Sequence, residues 1–151
     1  MDKLDLKRKL FEACIDTQKE IVKTAREAMM EAQENANSEE GSPEEMTESY
    51  REQMHQTRDM YAIKWRSSQN DLELLESVPA YDVKSVIEPG AIVKTNAQHF
   101  FIAIGMNKVV LDGEIFFPIS TSAPIFQAMV SMKKGDSFQF RDRTYQITDV
   151  F

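Results

Sequence analysis

The chain has 151 residues, 42% hydrophobic and 28% charged, with a net charge of −7, the profile of a folded soluble protein of one ordinary domain or two small ones. No apolar run approaches the roughly 20 residues that span a bilayer, no apolar stretch of a secretory signal follows Met1, and the single cysteine, Cys14, excludes an internal disulfide, so a reducing cytoplasm is the expected setting. The acidic balance also removes the basic surface on which tight nucleic-acid binding depends, while leaving room for action on a nucleic-acid machine through its protein.

Residues 1–80 hold 11 Lys and Arg against 18 Asp and Glu, whereas residues 81–151 hold 7 of each, so the whole charge excess lies in the N-terminal half. Residues 4–37 place Phe11, Cys14, Gln18, Ile21, Ala25, Ala28, Ala32 and Ala36 at alternating steps of three and four, the spacing of a helix packed along one seam. Residues 43–77 repeat the pattern at Met46, Tyr50, Met54, Thr57, Tyr61, Trp65, Ser68, Leu72 and Leu75. Between them, Gly41 suits a left-handed helix end, Ser42 a cap, Pro43 the first helical position and Glu45 a capping box. An antiparallel hairpin follows, and pairing Ala25 with Thr57, Ala28 with Met54 and Ala32 with Tyr50 keeps partner positions summing to 82. Such a hairpin is a rod on the order of 50 Å long, with Glu39, Glu40, Glu44 and Glu45 at its acidic tip near residues 38–45.

Pro79 stops the second helix, and the period then changes to two. Segments 91–95, 99–104, 108–111, 114–119, 137–140 and 145–150 read as strands, separated by turn signals at Asn96-Ala97, Gly105-Met106-Asn107, Asp112-Gly113 and Asp142-Arg143. One short helix is expected from about Ala123 to Met132, capped by Ser122 or Thr121 and ended by Lys133-Lys134-Gly135. The fold class is α+β: an N-terminal hairpin over residues 1–78, then a small antiparallel sheet domain with one helix over residues 79–151.

The run from Ile119 to Asp136, with its Ser-rich turn, Pro124, apolar pair and Lys134-Gly135-Asp136, resembles the C-terminal pattern of bacterial Gre-type transcription elongation factors. Gly90-Ala91-Ile92-Val93 and Tyr145–Phe151 are similar to that family's opening and closing strands. The resemblance implies an FKBP-like C-terminal domain that docks on RNA polymerase at its secondary channel, with Pro124, Ile125 and Ala128 matching the docking region; Ser122 is placed with them, and so is Phe126, which has no family counterpart and reads as either an exposed contact or buried packing. It implies a coiled coil whose tip carboxylates, here Glu39, Glu40, Glu44 and Glu45, help hold a Mg²⁺ ion shared with the polymerase during cleavage of backtracked transcripts. The protein would then be a monomeric cofactor of the polymerase, not itself an enzyme, binding no cofactor tightly and meeting nucleic acid only through that partner, with no membrane.

The tip departs from the family's Asp-x-x-Glu-Asn wording; Glu34-Asn35-Ala36 resembles a fragment of it but falls inside the first helix. A non-cleaving channel modulator or inhibitor is therefore a second expectation. A prolyl isomerase activity of the sheet domain is a third, and a helical adaptor a fourth. Acidic residues in a first helical turn need no function, because the helix dipole favours them there. Glu39 and Glu40, at the end of the preceding helix, lack that explanation. Cys14 is expected as a buried small hydrophobe, and His55 and His99 have no partners at metal-ligand spacing.

Overall fold

The computed structural model describes residues 2–39 and 48–151, with Ser38 and Glu39 described by backbone alone. Its elements in chain order are α1 (Lys3–Glu39), α2 (Glu48–Glu76), β1 (Ile92–Thr95), β2 (His99–Ile102), β3 (Val109–Leu111), β4 (Glu114–Ile119), α3 (Pro124–Met129), β5 (Ser137–Phe140) and β6 (Arg143–Val150). A long helical hairpin is thus followed by a six-stranded sheet with a short helix. The turn chemistry read at Gly41, Ser42, Pro43 and Glu45 lies outside the described residues.

The compact units do not divide at residue 78. One comprises Asp16–Glu73; the other joins Met1–Ile15 to Leu74–Phe151. The reason is a shared apolar core. Leu10, Cys14, Leu75 and Val78, from the outer ends of α1 and α2, are buried with Ile92, Phe101, Phe116 and Phe151 of the sheet. The opposite face of the sheet buries Val93, Phe100, Ile102 and Ile147 against Phe126 and Met129 of α3. Neighbours along a strand point to opposite faces, so Ile92 and Val93, or Phe100 and Phe101, serve different cores. That explains the consecutive apolar pairs Ile92-Val93 and Phe100-Phe101 within these strands. Each fully buried Leu or Phe contributes about 2 kcal/mol.

The strand order is β3-β4-β2-β1-β6-β5. Every neighbouring pair is antiparallel except β2 and β4, which run parallel with Phe100 opposite Phe117. The sheet is therefore mixed, where the sequence led to an all-antiparallel expectation. Segment 103–108 and the β3–β4 hairpin return the chain so that β4 enters in the direction of β2, a pairing with no local sequence signature. The last hairpin turns on Arg141 and Asp142, at φ 50° and 63°, with Phe140 opposite Arg143. The turn thus comes one residue earlier than the Asp142-Arg143 expectation, because a two-residue hairpin turn needs positive φ at both central positions.

In the helical unit, Gln18 is 4% exposed and its Nε2 donates to the Ser68 carbonyl at 3.0 Å. Ser68 Oγ in turn donates to the Trp65 carbonyl at 2.6 Å. Gln18 opposite Ser68 shifts the pairing about one helical turn from the expected register. Ile21 is correspondingly 45% exposed, off the seam on which it was placed.

Gly90 joins the α2 exit to the sheet. At φ 90°, it lies where an added Cβ would stand 2.2 Å from the Pro79 carbonyl oxygen, while its N–H donates to the Ile102 carbonyl at 2.8 Å. Gly90→Ala should therefore destabilise the fold by about 2–4 kcal/mol in urea denaturation. Gly105→Ala, whose Cβ would meet nothing within 4 Å, should change stability by less than about 1 kcal/mol.

Candidate functional site

Of the tip carboxylates, Glu40, Glu44 and Glu45 lie outside the described residues, and Glu39 is described only as the last backbone position of α1. Glu34-Asn35-Ala36 sits within α1, as expected, with Ala36 buried. No group of three or more His, Cys, Asp or Glu among the described residues is arranged to hold a metal ion. His99 Nδ1 accepts the Thr95 N–H at 3.3 Å, and Nε2 lies 3.6 Å from Glu114, which also pairs with Lys94 at 3.0 Å. Burial, aided by Lys94, holds the His99 pKa below its ordinary value.

The docking segment is described in full. Pro124 occupies the first turn of α3, but the cap is Ala123, in extended conformation with no side-chain cap bond, so neither Ser122 nor Thr121 caps the helix. Ser120 and Ser122 instead share a hydroxyl hydrogen bond of 2.8 Å. Gln127 Nε2 donates to the Thr121 carbonyl at 2.7 Å, pinning the turn to α3 from the helix side. The helix also ends earlier than Met132. Val130 is its C-cap and Ser131 takes φ 66°, while Lys133–Asp136 form a separate turn into β5, closed by the Asp136 N–H on the Lys133 carbonyl at 3.0 Å.

The five docking residues do not form one surface. Ser122 and Pro124 are exposed, and Ile125 and Ala128 are half-buried against the core. Phe126 is 5% exposed and belongs to that core. Its ring orients α3; it offers no contact to a partner. A cleft of about 380 Å³ opens beside Ser122, walled by the Ser120–Ser122 turn, Val78, Pro79, Pro89 and Ile104, with Leu74 also lining it. Leu74 is 59% exposed. Apolar walls with three hydroxyls on one side suit a protein surface better than a small charged ligand. The sequence contained a signal for Leu74: it stands off the stripe that carries Leu72 and Leu75.

Lys7 went unnoticed in the sequence. It is fully buried, and Nζ donates to the Asp82 carbonyl at 2.8 Å. Asp82 itself pairs with Lys84 at 2.7 Å, which holds its carboxyl below the usual range. Lys7, Leu10 and Cys14 recur at steps of three and four, so the periodicity did mark the position. Burial first and Lys84 second push the Lys7 pKa down to about 8, against the pull of Asp82 and Glu88. Burial likewise pushes the Cys14 thiol up to about 12, and the thiol is inert for that reason.

The fold and this cleft define an α+β protein in which a helical hairpin precedes a mixed sheet bearing a hydroxyl-lined apolar recess. No family model matches the sequence, and no curated protein matches it. Among solved structures, the chain is similar to one of the transcription factor Gfh1, at 17% identity over 90% of this chain and 92% of that one, with a TM-score of 0.38. It is also similar to the GreA factor homolog 1 (Gfh1) protein of Thermus thermophilus, at 14% identity over 91% and 94%, with a TM-score of 0.35. No residue role is carried across from either structure.

The lowered Lys7 pKa has a consequence for stability. Between about pH 8 and the unfolded value of 10.5, the unfolded chain binds more protons at Lys7 than the folded chain, so stability from this residue rises with pH. Lys7→Met removes the titration. The Tm difference, wild type minus Lys7→Met, should increase between pH 7.5 and pH 10 in calorimetry; a constant difference would show that Lys7 stays charged in the fold.

Proposed function

We propose that this protein is a Gre-type RNA polymerase secondary-channel factor that docks through the recess beside α3 and acts through the carboxylates between α1 and α2. The observation that carries the reading is the Ile119–Asp136 segment. The run that resembles the family's docking pattern folds into a hydroxyl turn, α3 and a separate basic turn, and the hydroxyl turn lines an apolar cleft. The helical hairpin ahead of the sheet supports the same reading.

In this reading the chain is not an enzyme; the polymerase supplies the active centre. Glu39, Glu40, Glu44 and Glu45 are hard oxygen donors, the chemistry that a shared Mg²⁺ requires, and such an ion stabilises the attacking and leaving oxygens of phosphodiester hydrolysis. The residues of the chain itself hold the hairpin in register and present acidic side chains. The second reading, a channel modulator that does not support cleavage, is favoured by the missing Asp-x-x-Glu-Asn wording of the tip.

Purified RNA polymerase should bind the full chain, and Leu74→Asp combined with Ser122→Arg should weaken that binding by about tenfold or more. On backtracked elongation complexes, reversal of Glu39, Glu40, Glu44 and Glu45 to Lys should leave binding in place and abolish the effect on the transcript. Loss of stimulated cleavage assigns the first reading, and loss of inhibition the second. No binding by the wild-type chain, and no change in cleavage or elongation, would sink both.

A further inference from the structure

The unit Asp16–Glu73 carries a feature that the polymerase reading leaves unused. A groove of about 650 Å³ runs along one face of the paired helices, floored by Ala25, Ala28 and Ser68 and walled by Ile21, Thr24 and Tyr61. A second concavity of about 300 Å³ continues it through Ala28 and Tyr61, which line both, past Ala32 and Met54 to Asn35. From Thr17 to Asn35 the whole spans about 27 Å, five helical turns.

We infer that this groove receives an amphipathic helix with basic flanks, supplied by a partner protein. Three observations select that occupant. The lining residues recur at steps of three and four on both helices, so the groove follows the helix axes, the geometry in which a third helix packs its ridges. An extended peptide would find no backbone partners there, since the walls are helices with their own hydrogen bonds made; a helix satisfies its own N–H and C=O groups.

Charge then sets the flank. Glu20 and Glu31 are exposed and line the α1 side of the groove, and neither makes an ion pair among the described residues. The α2 side of the groove is lined by Met54, Thr57, Tyr61, Lys64 and Ser68 and carries no acid. Lys64 is the only cation lining the groove among the described residues, and its Nζ rests 5.5 Å from the centre of the Tyr61 ring. A basic helix complements the unpaired glutamates; a second copy of this chain would set its own acidic α1 edge against them. The exposed Ile21 supplies the apolar contact that charge alone does not.

The test uses the full chain and a fluorescein-labelled 18-residue peptide with Leu at i, i+3, i+4 and i+7 spacing and Lys on both flanks, followed by anisotropy. Two controls are a peptide with Glu replacing Lys, and a shuffled peptide of the same composition without helical phase. The basic in-phase peptide should bind at least about tenfold more tightly than either control. Ala28→Trp, which fills the groove, and Ile21→Asp, which adds attraction for Lys but removes the apolar contact, should each weaken it by about tenfold, with helix content unchanged by circular dichroism. Reversal of Glu20 and Glu31 to Lys should transfer the preference to the acidic peptide. Equal binding of the shuffled peptide, or unaltered binding by folded Ala28→Trp and Ile21→Asp, overturns the inference. So does sedimentation showing a dimer that Ala28→Trp dissociates, which assigns the groove to a second copy. Polymerase binding does not enter any of these readouts, so the result stands apart from the proposed function.

Discussion

The second face of the sheet is covered by the ends of the hairpin together with Ala80, Ile104 and Met106, and that constraint organises the unit formed by residues 1–15 and 74–151. Phe101, Phe116 and Phe151 belong to the core opposite α3 and are buried there with Leu10, Cys14, Leu75 and Val78. Removing the helix ends would expose three aromatic rings and Ile92, on the order of 8 kcal/mol of burial at about 2 kcal/mol each, comparable with the whole stability of a domain. The sheet and the hairpin base are therefore one folding entity. The close approach of Gly90 to Pro79 and the burial of Lys7 against the Asp82 carbonyl both follow from bringing the α2 exit and the first turns of α1 onto that face. Lys7 remains tolerable because its ammonium finds a carbonyl and stands near Asp82 and Glu88; a buried cation without those groups would cost several kcal/mol.

Within the helical unit a different interaction sets the geometry. A seam of alanines tolerates sliding, because small residues make similar contacts in neighbouring registers. The Gln18–Ser68 contact does not, because a one-turn slip would set Gln18 against Lys64 or Leu72, whose side chains are too large to leave the backbone carbonyl as open as Ser68 does, and an unsatisfied buried amide costs about 1–3 kcal/mol. A polar residue facing a small one thus specifies what the apolar seam leaves degenerate. The register it selects turns Ile21 outward and leaves Ala25 and Ala28 facing Tyr61 across an open groove. Specificity and the unfilled face have the same origin.

These two interactions also explain which parts of the protein could be read from its sequence. Both long helices announced themselves through a period near 3.6, the six strands through short apolar runs between turn signals, and α3 through Pro124 and the Lys133-Lys134-Gly135 end, because those patterns are local. The parallel β2–β4 pairing did not, since strand partners are chosen by chain return and not by composition. The helix register differs for a related reason: a stripe of alanines fits neighbouring registers equally well, whereas the contact that fixes one joins Gln18 to Ser68, two seam positions that the pattern did not pair. Phe126 was drawn toward the docking surface by its neighbours Pro124 and Ile125, yet a position two residues beyond the first helical residue can face the opposite way, and here it faces the core. The recess beside Ser122 was invisible because its walls come from residues 74–79, 89, 103–104 and 120–122, distant in sequence and joined only by the shared core.

The charge distribution acquires a sharper meaning against this background. α2 begins at Glu48, where the helix dipole favours an acid, and α1 ends at Glu39 with no basic residue in its last turn, where the dipole disfavours one. Helix stability alone would place a lysine at the end of α1, as it would relieve the unpaired glutamates at 20, 27 and 31. Retaining acids in both places costs stability in small increments, a few tenths of a kcal/mol per site, with nothing in the packing of the helices to offset them. The sheet half, by contrast, balances its charges and pairs several of them, as in Lys3–Asp149, Lys84–Asp82 and Lys94–Glu114. The charge excess is therefore a property of the helical half alone, and helix stability does not account for it.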